Sequence, residues 1–268
     1  MARLSSHGDD SPSPFLAALR AVIVQWPAAE AAPRFLVAFS GGVDSTVLLA
    51  ALVGLGARVR AAHVDHGLHA DSSDWSARCA AVAADLGVVL ETVRVTVDGS
   101  SGHGLEAAAR DARYRALGTV LAPGEILLTA HHADDQLETL LLRFMRGSGV
   151  RGMRGIISFG PFGRGFLGRP FLGFTRAELM AQAREWNLRW IEDPSNRDSR
   201  HDRNFLRLDV VPKLTARWPA AVAHAGRLAE QMADAEAILD AVALQDSAGL
   251  ARSEEHTSEL QSLAYLVC

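Results

Sequence analysis

Four times between residues 35 and 145 a short apolar run is followed by a helical pattern, and this recurrence constrains the fold more than any other feature of the chain. Phe35–Phe39, Val59–Val64, Val88–Val95 and Ile126–Ala130 read as strands. The helices between them are placed by Val47, Leu48, Leu49 and Leu52, by the stretch Trp75–Leu86, by Leu105–Leu121 and by Gln136–Met145. Strand and helix alternating in units of about thirty residues predict an α/β fold with a doubly wound, mostly parallel sheet. In such a sheet a ligand binds beyond the carboxyl ends of the strands.

Outside this repeat the signals are weaker. Phe15–Gln25 has helical spacing, and residues 1–14 read as a disordered leader. Arg146–Pro170 mixes glycines, arginines and apolar residues and is expected to be a long loop beside the site. Thr175 with Glu178 three positions on forms a capping signature for a helix running to about Trp186. Trp190 and Ile191 suggest a short last strand, and an alanine-rich helical segment runs over Val222–Leu244. The catalytic domain is thus expected over 15–218, and a helical connector to a missing C-terminal region over 219–251. Residues 252–268, opening A-R-S-E-E-H-T-S-E-L-Q-S, resemble a translated sequencing adapter and are set aside from the fold; a short charged helix over Glu254–Leu260 is the alternative.

The chemistry begins at S-G-G-V-D-S, Ser40 to Ser45, between the first strand and its helix. Gly41 and Gly42 permit a sharp turn with exposed backbone N–H groups, and the helix start that follows favours an anion. The lysine and four-residue spacer of the γ-phosphate-binding loop G-x-x-x-x-G-K-[ST] are missing. Instead Asp44 sets a carboxylate among phosphates, which is tolerable when a divalent cation lies between them. By composition alone the same residues could be a mere turn before a helix. At the end of the fourth strand, H-H-A-D-D puts His131, His132, Asp134 and Asp135 on the same sheet edge; hard-cation chemistry favours Asp135 and Asp44 over either histidine. His63, Asp65 and His66 reach that edge from the second strand, without a duty legible from spacing. Arg110 and Arg113 in E-A-A-A-R-D-A-R-Y-R suit phosphate or RNA backbone, although a Glu106–Arg110 pair needs no function, and Tyr114 reads as half-buried packing. W-I-E-D-P-S-N-R-D-S-R-H-D-R-N-F-L-R crowds acids, amides and arginines into one segment.

These motifs carry a resemblance. S-G-G-V-D-S is similar to the pyrophosphate loop (PP-loop) of the ATP pyrophosphatases, whose fold is of the adenine nucleotide alpha hydrolase-like type. Together with H-V-D-H-G-L, T-A-H-H-A-D-D-Q-L-E-T-L-L-L-R-F-M-R-G-S-G, R-P-F-L-G-F-T-R-A-E-L and W-I-E-D-P-S-N-R-D-S-R-H-D-R-N-F-L-R, in order from Phe35 to Pro219, it resembles the tRNA(Ile)-lysidine synthetase family. The resemblance implies ATP and Mg²⁺ as cofactors, held by Ser40, Gly41, Gly42, Val43, Asp44 and Ser45, with Asp44 and Asp135 on the metal. It implies a ligase that adenylates the wobble cytidine of a CAU anticodon in tRNA(Ile), whereupon the amine of free L-lysine displaces AMP. Asp44, Arg113, His132 and Asp135 would be catalytic, while Arg110, Asp193, Asn196, Arg203, Asn204 and Arg207 would meet substrate and tRNA. Arg113, Arg203 and Arg207 are expected along one basic surface, and Glu138, Asp193 and Asp198 as contacts to lysine or as plain stabilisers.

Composition sets the remaining bounds. Hydrophobic residues make up 49% of the 268, enough for a sizeable core. A net charge of -4 advertises no nucleic acid, so any RNA contact must be local. Two cysteines, Cys79 and Cys268, form neither a metal nor a disulfide spacing, which suits a reducing cytoplasm, and no apolar stretch approaches membrane-spanning length. A homodimer is left open. The rival readings are a tRNA thiolase, disfavoured by the lack of cysteine pairs, a binding module without turnover, and a small-molecule amidating ATP pyrophosphatase.

Overall fold

The computed structural model describes residues 13–27, 33–67, 72–96, 105–192 and 200–264, with backbone alone at 72–73, 105–106 and 248–264. A six-stranded sheet forms its centre, built from β1 (Arg34–Ala38), β2 (Arg58–Asp65), β3 (Leu90–Arg94), β4 (Ile126–Leu128), β5 (Phe159–Phe162) and β6 (Gly165–Gly168). Its order is β3-β2-β1-β4-β6-β5, parallel except for the β5–β6 pair. The predicted doubly wound, mostly parallel sheet is therefore what the chain forms.

The helices are α1 (Pro14–Ile23), α2 (Val43–Gly54), α3 (Ser72–Asp85), α4 (Leu105–Val120), α5 (Ala133–Met145), α6 (Val150–Met153), α7 (Arg176–Glu185), α8 (Asp202–Phe205), α9 (Val211–Arg217) and α10 (Ala221–Ala264). A π-helical stretch, Leu206–Val210, joins α8 to α9. Strand β1 is apolar on both sides because both are covered. Phe35, Val37 and Phe39 join the core with Leu19 of α1, Leu48 and Leu49 of α2 and Leu179 of α7. Leu36 faces the other way, with Leu117 of α4 and Leu127 of β4. Each such fully buried leucine contributes about 1.5–3 kcal/mol of transfer free energy. In a third cluster Leu137 and Leu140 of α5 pack on Val211 of α9 and on Val222, Ala225 and Ala229 of α10. The first turns of α10 are thus packed on α5 and α9.

After β1 the chain builds β2 and β3 on one side, then crosses to place β4 on the other, so β1 and β4 are neighbours in register Val37↔Leu128. Their following loops diverge and leave a crevice, the usual ligand position in this architecture.

Three expectations need correction. Residues 146–170 are not one long loop: they contain α6 and the β5–β6 hairpin, which extends the sheet. The hairpin turns on Gly163 at φ 54, followed by Arg164, and positive φ at the first central residue alone is the type II′ pattern. Trp190 and Ile191 form no strand; the Ile191 N–H instead donates to the Gly41 carbonyl at 2.8 Å. Helix α5 starts at Ala133, three residues before the expected Gln136, because His132 caps it. The glycine-rich loop read over Gly99–Gly104 lies outside the described residues.

Candidate active site between the ends of β1 and β4

The loop after β1 is braced by its own short side chains. Ser40 Oγ accepts the Gly42 N–H at 3.3 Å and lies 3.2 Å from Ser45 Oγ. Ser45 and Thr46 hydroxyls donate to the Gly42 carbonyl at 3.0 and 2.9 Å, and Trp75 Nε1 donates to the Ser40 carbonyl at 2.9 Å. Gly42 is the N-cap of α2 and offers no side chain to its first amides, which leaves them for an anion. Gly41, at φ +79, fits only without a side chain: a Cβ there would lie 2.7 Å from both Cys79 Sγ and Ile191 Cδ1. Val43 and Ser45 are buried; Asp44 is partly open, while its Oδ1 is buried without a hydrogen-bond partner.

Across the crevice His132 caps α5 reciprocally with Asp135. Asp135 Oδ2 accepts the His132 N–H at 3.0 Å, and His132 Nδ1 accepts the Asp135 N–H at 3.4 Å. H-x-x-D is therefore a capping box as well as a candidate site motif. The same ring has Nδ1 3.5 Å from Asp134 Oδ2 and Nε2 3.9 Å from Asp44 Oδ2. A neutral ring serves the cap and an imidazolium serves the carboxylates. Burial disfavours the charge, but the Asp134 contact and the Asp135 and Asp44 charges outweigh it and raise the His132 pKa. Asp44 moves up too, chiefly through burial, partly offset by His132.

Behind His132 lies a four-member ion network. Arg203 donates to Asp135 Oδ1 and Glu138 Oε2, both at 2.8 Å. Arg207 donates to Glu138 Oε1 at 2.7 Å, Glu138 Oε2 at 2.9 Å and Asp135 Oδ1 at 3.1 Å. Asp135 and Glu138 stand three apart on α5 and share a face. The π stretch, which includes Arg207, opens within the turn after Arg203, where both guanidinium groups reach the same pair of carboxylates. Burial alone would raise the Asp135 pKa, yet His132 and Arg203 hold it down at about 2.

A model of the PP-loop domain matches residues 16–214. The chain belongs to the PP-loop domain family. Curated relatives include tRNA(Ile)-lysidine synthases from Xanthomonas campestris pv. campestris strain 8004, 51% identical over 80% of this chain, and Methylococcus capsulatus, 48% identical over 78%. That of Pseudomonas syringae pv. tomato is 45% identical over 92% of the chain. The chain spans about half the length of these relatives, 50%, 48% and 55% respectively. Among solved structures, the U34-tRNA thiolase NcsA from Methanococcus maripaludis with its 4Fe-4S cluster superposes with a TM-score of 0.66, covering 81% of this chain and 78% of that one at 15% identity. That likeness concerns the fold.

A PP-loop domain implies ATP binding, and the braced loop ends in a helix start whose first amides have no side-chain cap. Among the described residues, no group of three or more His, Cys, Asp or Glu side chains is arranged to hold a metal. Mg²⁺ commonly takes one or two carboxylates plus substrate phosphates, and the orphaned Oδ1 of Asp44 fits that role. Asp135, expected as a second ligand, accepts from Arg203 and Arg207 on Oδ1 and from the His132 N–H on Oδ2. Arg203 and Arg207, expected along one basic surface with Arg113, are both engaged by Asp135 and Glu138. Arg113 and Arg110 lie on α4, where their guanidinium carbons stand 5.8 and 5.0 Å from the ring centre of Tyr114. Asn204 sits beside Arg203 on α8, and Asp193, Asn196 and Asp198 lie outside the described residues. Sequence reasoning missed the Ile191–Gly41 strut, the Trp75 hydrogen bond and the half-buried Arg169. Only Arg169 left a signal, as an arginine immediately after an apolar run.

No helix among the described residues is long and apolar enough to cross a membrane.

Proposed function

We propose that this PP-loop domain catalyses the ATP-dependent joining of free L-lysine to the wobble cytidine of a CAU-anticodon tRNA(Ile), giving lysidine, AMP and pyrophosphate. One observation carries the reading: the braced S-G-G-V-D-S loop faces the His132–Asp135 capping box in a chain 45–51% identical to tRNA(Ile)-lysidine synthases. In this mechanism the amides at the start of α2 hold the pyrophosphate end of ATP. Asp44 would hold Mg²⁺, which supplies charge neutralisation on the phosphates. The cytidine O2 attacks the α-phosphorus and pyrophosphate leaves; the lysine amine, deprotonated, then attacks C2 and AMP departs.

His132, buried beside Asp44, is suited to hold or pass a proton during these steps. Asp135 and Glu138 fix Arg203 and Arg207 at the crevice, where the guanidinium groups would meet the RNA or the activated base. Asp193 and Asn196 are proposed contacts to the incoming lysine, and Asn204 to the cytidine. A tRNA thiolase, the function named for the structural neighbour, would use cysteine chemistry, whereas Cys79 is buried and burial pushes its thiol up to about 12.

The test is incubation of the chain with labelled ATP, lysine and a CAU-anticodon tRNA. AMP with pyrophosphate and a nucleoside heavier by one lysine less water support the reading. ADP as the main product, or sulfur in the nucleoside, overturns it.

A further inference from the structure

On the α4 side of the sheet, away from the PP-loop helix, the carboxyl edge carries positive charge that the steps above do not use. Arg169 immediately follows β6, the neighbour of β4, so it rises at the same edge as His131. Its side chain is partly withdrawn from solvent and Nε is buried without a partner. Among the described residues its guanidinium donates to the Ile157 carbonyl and to no carboxylate. Beside it stands Tyr114, whose buried hydroxyl lies against the Arg169 side chain and makes no well-formed hydrogen bond. Arg110 and Arg113 approach the Tyr114 ring at 5.0 and 5.8 Å, while Phe162 packs edge-on at 5.9 Å and fixes its orientation. Burial first, then the charge of Arg110, presses the Arg169 pKa below its ordinary value, partly offset by Tyr114.

A folded chain gathers like charges and leaves buried donors unmade only at a cost, and an anion in their midst relieves both. An apolar ligand would relieve neither. The planar guanidinium fork matches phosphate oxygens, and the Tyr114 hydroxyl supplies a neutral donor at its flank.

We propose that Arg169 and the Tyr114 hydroxyl, flanked by Arg110 and Arg113, form a second phosphate-binding subsite on the α4 side of the crevice, separate from the PP-loop. The inference deepens the reading above, since a substrate that joins ATP to RNA brings phosphates from two directions. The phosphate is either a backbone phosphodiester next to the modified cytidine or the pyrophosphate end of the nucleotide. Arg169 is a positioning residue: it orients a group that does not itself react.

Binding measurements on the chain with two probes, inorganic pyrophosphate and a CAU anticodon stem-loop RNA, decide the matter without needing turnover. Arg169→Gln is expected to weaken one probe about tenfold or more, and Tyr114→Phe, which keeps the ring packing, about fivefold. Arg169→Lys should recover part of the loss, since it restores charge without the fork. If the RNA is the occupant, the slope of log K against log salt also falls by roughly 0.7–0.9 in Arg169→Gln. Loss confined to the RNA supports the subsite with a phosphodiester in it; loss confined to pyrophosphate supports it with the nucleotide. Unchanged affinity for both probes in Tyr114→Phe and Arg169→Gln, each melting as cooperatively as wild type, overturns it. If the wild-type chain binds both probes but makes no AMP, the catalytic reading fails while the subsite is still decided.

Discussion

Replacing Gly41 by alanine tests how the PP-loop is held. The backbone there is at φ +79, and the new Cβ would sit 2.7 Å from Cys79 Sγ and from Ile191 Cδ1. The left-handed conformation costs an L-residue roughly 1–2 kcal/mol. Overpacking against a buried thiol and a branched side chain adds about 1–3 kcal/mol, because neither contact is the free end of a long flexible chain. The sum, on the order of 3 kcal/mol, corresponds to a fall in Tm of roughly 10 °C for a domain of this size. The two parts separate in a double-mutant cycle. Cys79→Ala removes one of the two crowding atoms, so Gly41→Ala should cost about 1 kcal/mol less in that background, whereas the φ penalty remains. Urea unfolding of the four proteins reads the cycle, and calorimetric titration with ATP shows whether strain in the loop lowers nucleotide affinity in parallel. A Gly41→Ala protein within about 0.5 kcal/mol of wild type would refute the reasoning, as would additivity of the two substitutions.

The buried network behind His132 gives a second prediction: Glu138→Gln leaves Arg203 and Arg207 sharing Asp135 alone and should cost about 3 kcal/mol, seen as a lower midpoint in urea. Asp135→Asn should likewise reduce stability, whereas Asp44→Asn should leave the midpoint within about 1 kcal/mol of wild type and reduce AMP formation at least about a hundredfold; equal stability losses would remove the distinction between them. A third concerns acid. Glu125 accepts from Arg60 Nε at 2.8 Å, Arg60 Nη2 at 2.7 Å and the Ala122 N–H at 2.9 Å, and although burial opposes it, these bonds hold its pKa below the ordinary value. A depressed carboxylate contributes stability above its unfolded pKa, about 4.3, and loses it as pH falls through the folded one. Glu125→Gln should therefore flatten the decline in stability below about pH 4.5, and an unchanged acid slope would count against the assignment.

Much of this molecule is legible along the chain because its information is local. The short apolar run Phe35–Phe39, bounded by Pro33 and by the glycine pair at 41–42, and the helical spacing in the following segment point to strand and helix from local sequence alone. S-G-G-V-D-S announces a turn and an anion-binding helix start, and Thr175 with Glu178 forms the capping box that its spacing requires. The alternation of strand and helix leads to a doubly wound sheet with its site at the carboxyl edge.

What the sequence could not decide were choices among partners distant along the chain. Asp135 reads from sequence as a metal ligand, because an acid beside a phosphate loop invites a cation, and nothing local announces its arginine partners. Only the tertiary structure brings Arg203 and Arg207, sixty-eight and seventy-two residues away, onto its oxygens. Spacing likewise does not show that the same two arginines also meet Glu138. Residues 159–168 looked irregular because Gly-Pro and Gly-Arg-Gly interrupt the alternation, yet β4 has an edge that needs pairing and β6 satisfies it. Gly41 reads from sequence as a flexible turn residue; packing shows that Cys79 and Ile191 leave it no room for a side chain. Local patterns settle what each segment can be, and the long-range contacts, whose loop-closure cost the sequence does not display, settle which charge meets which.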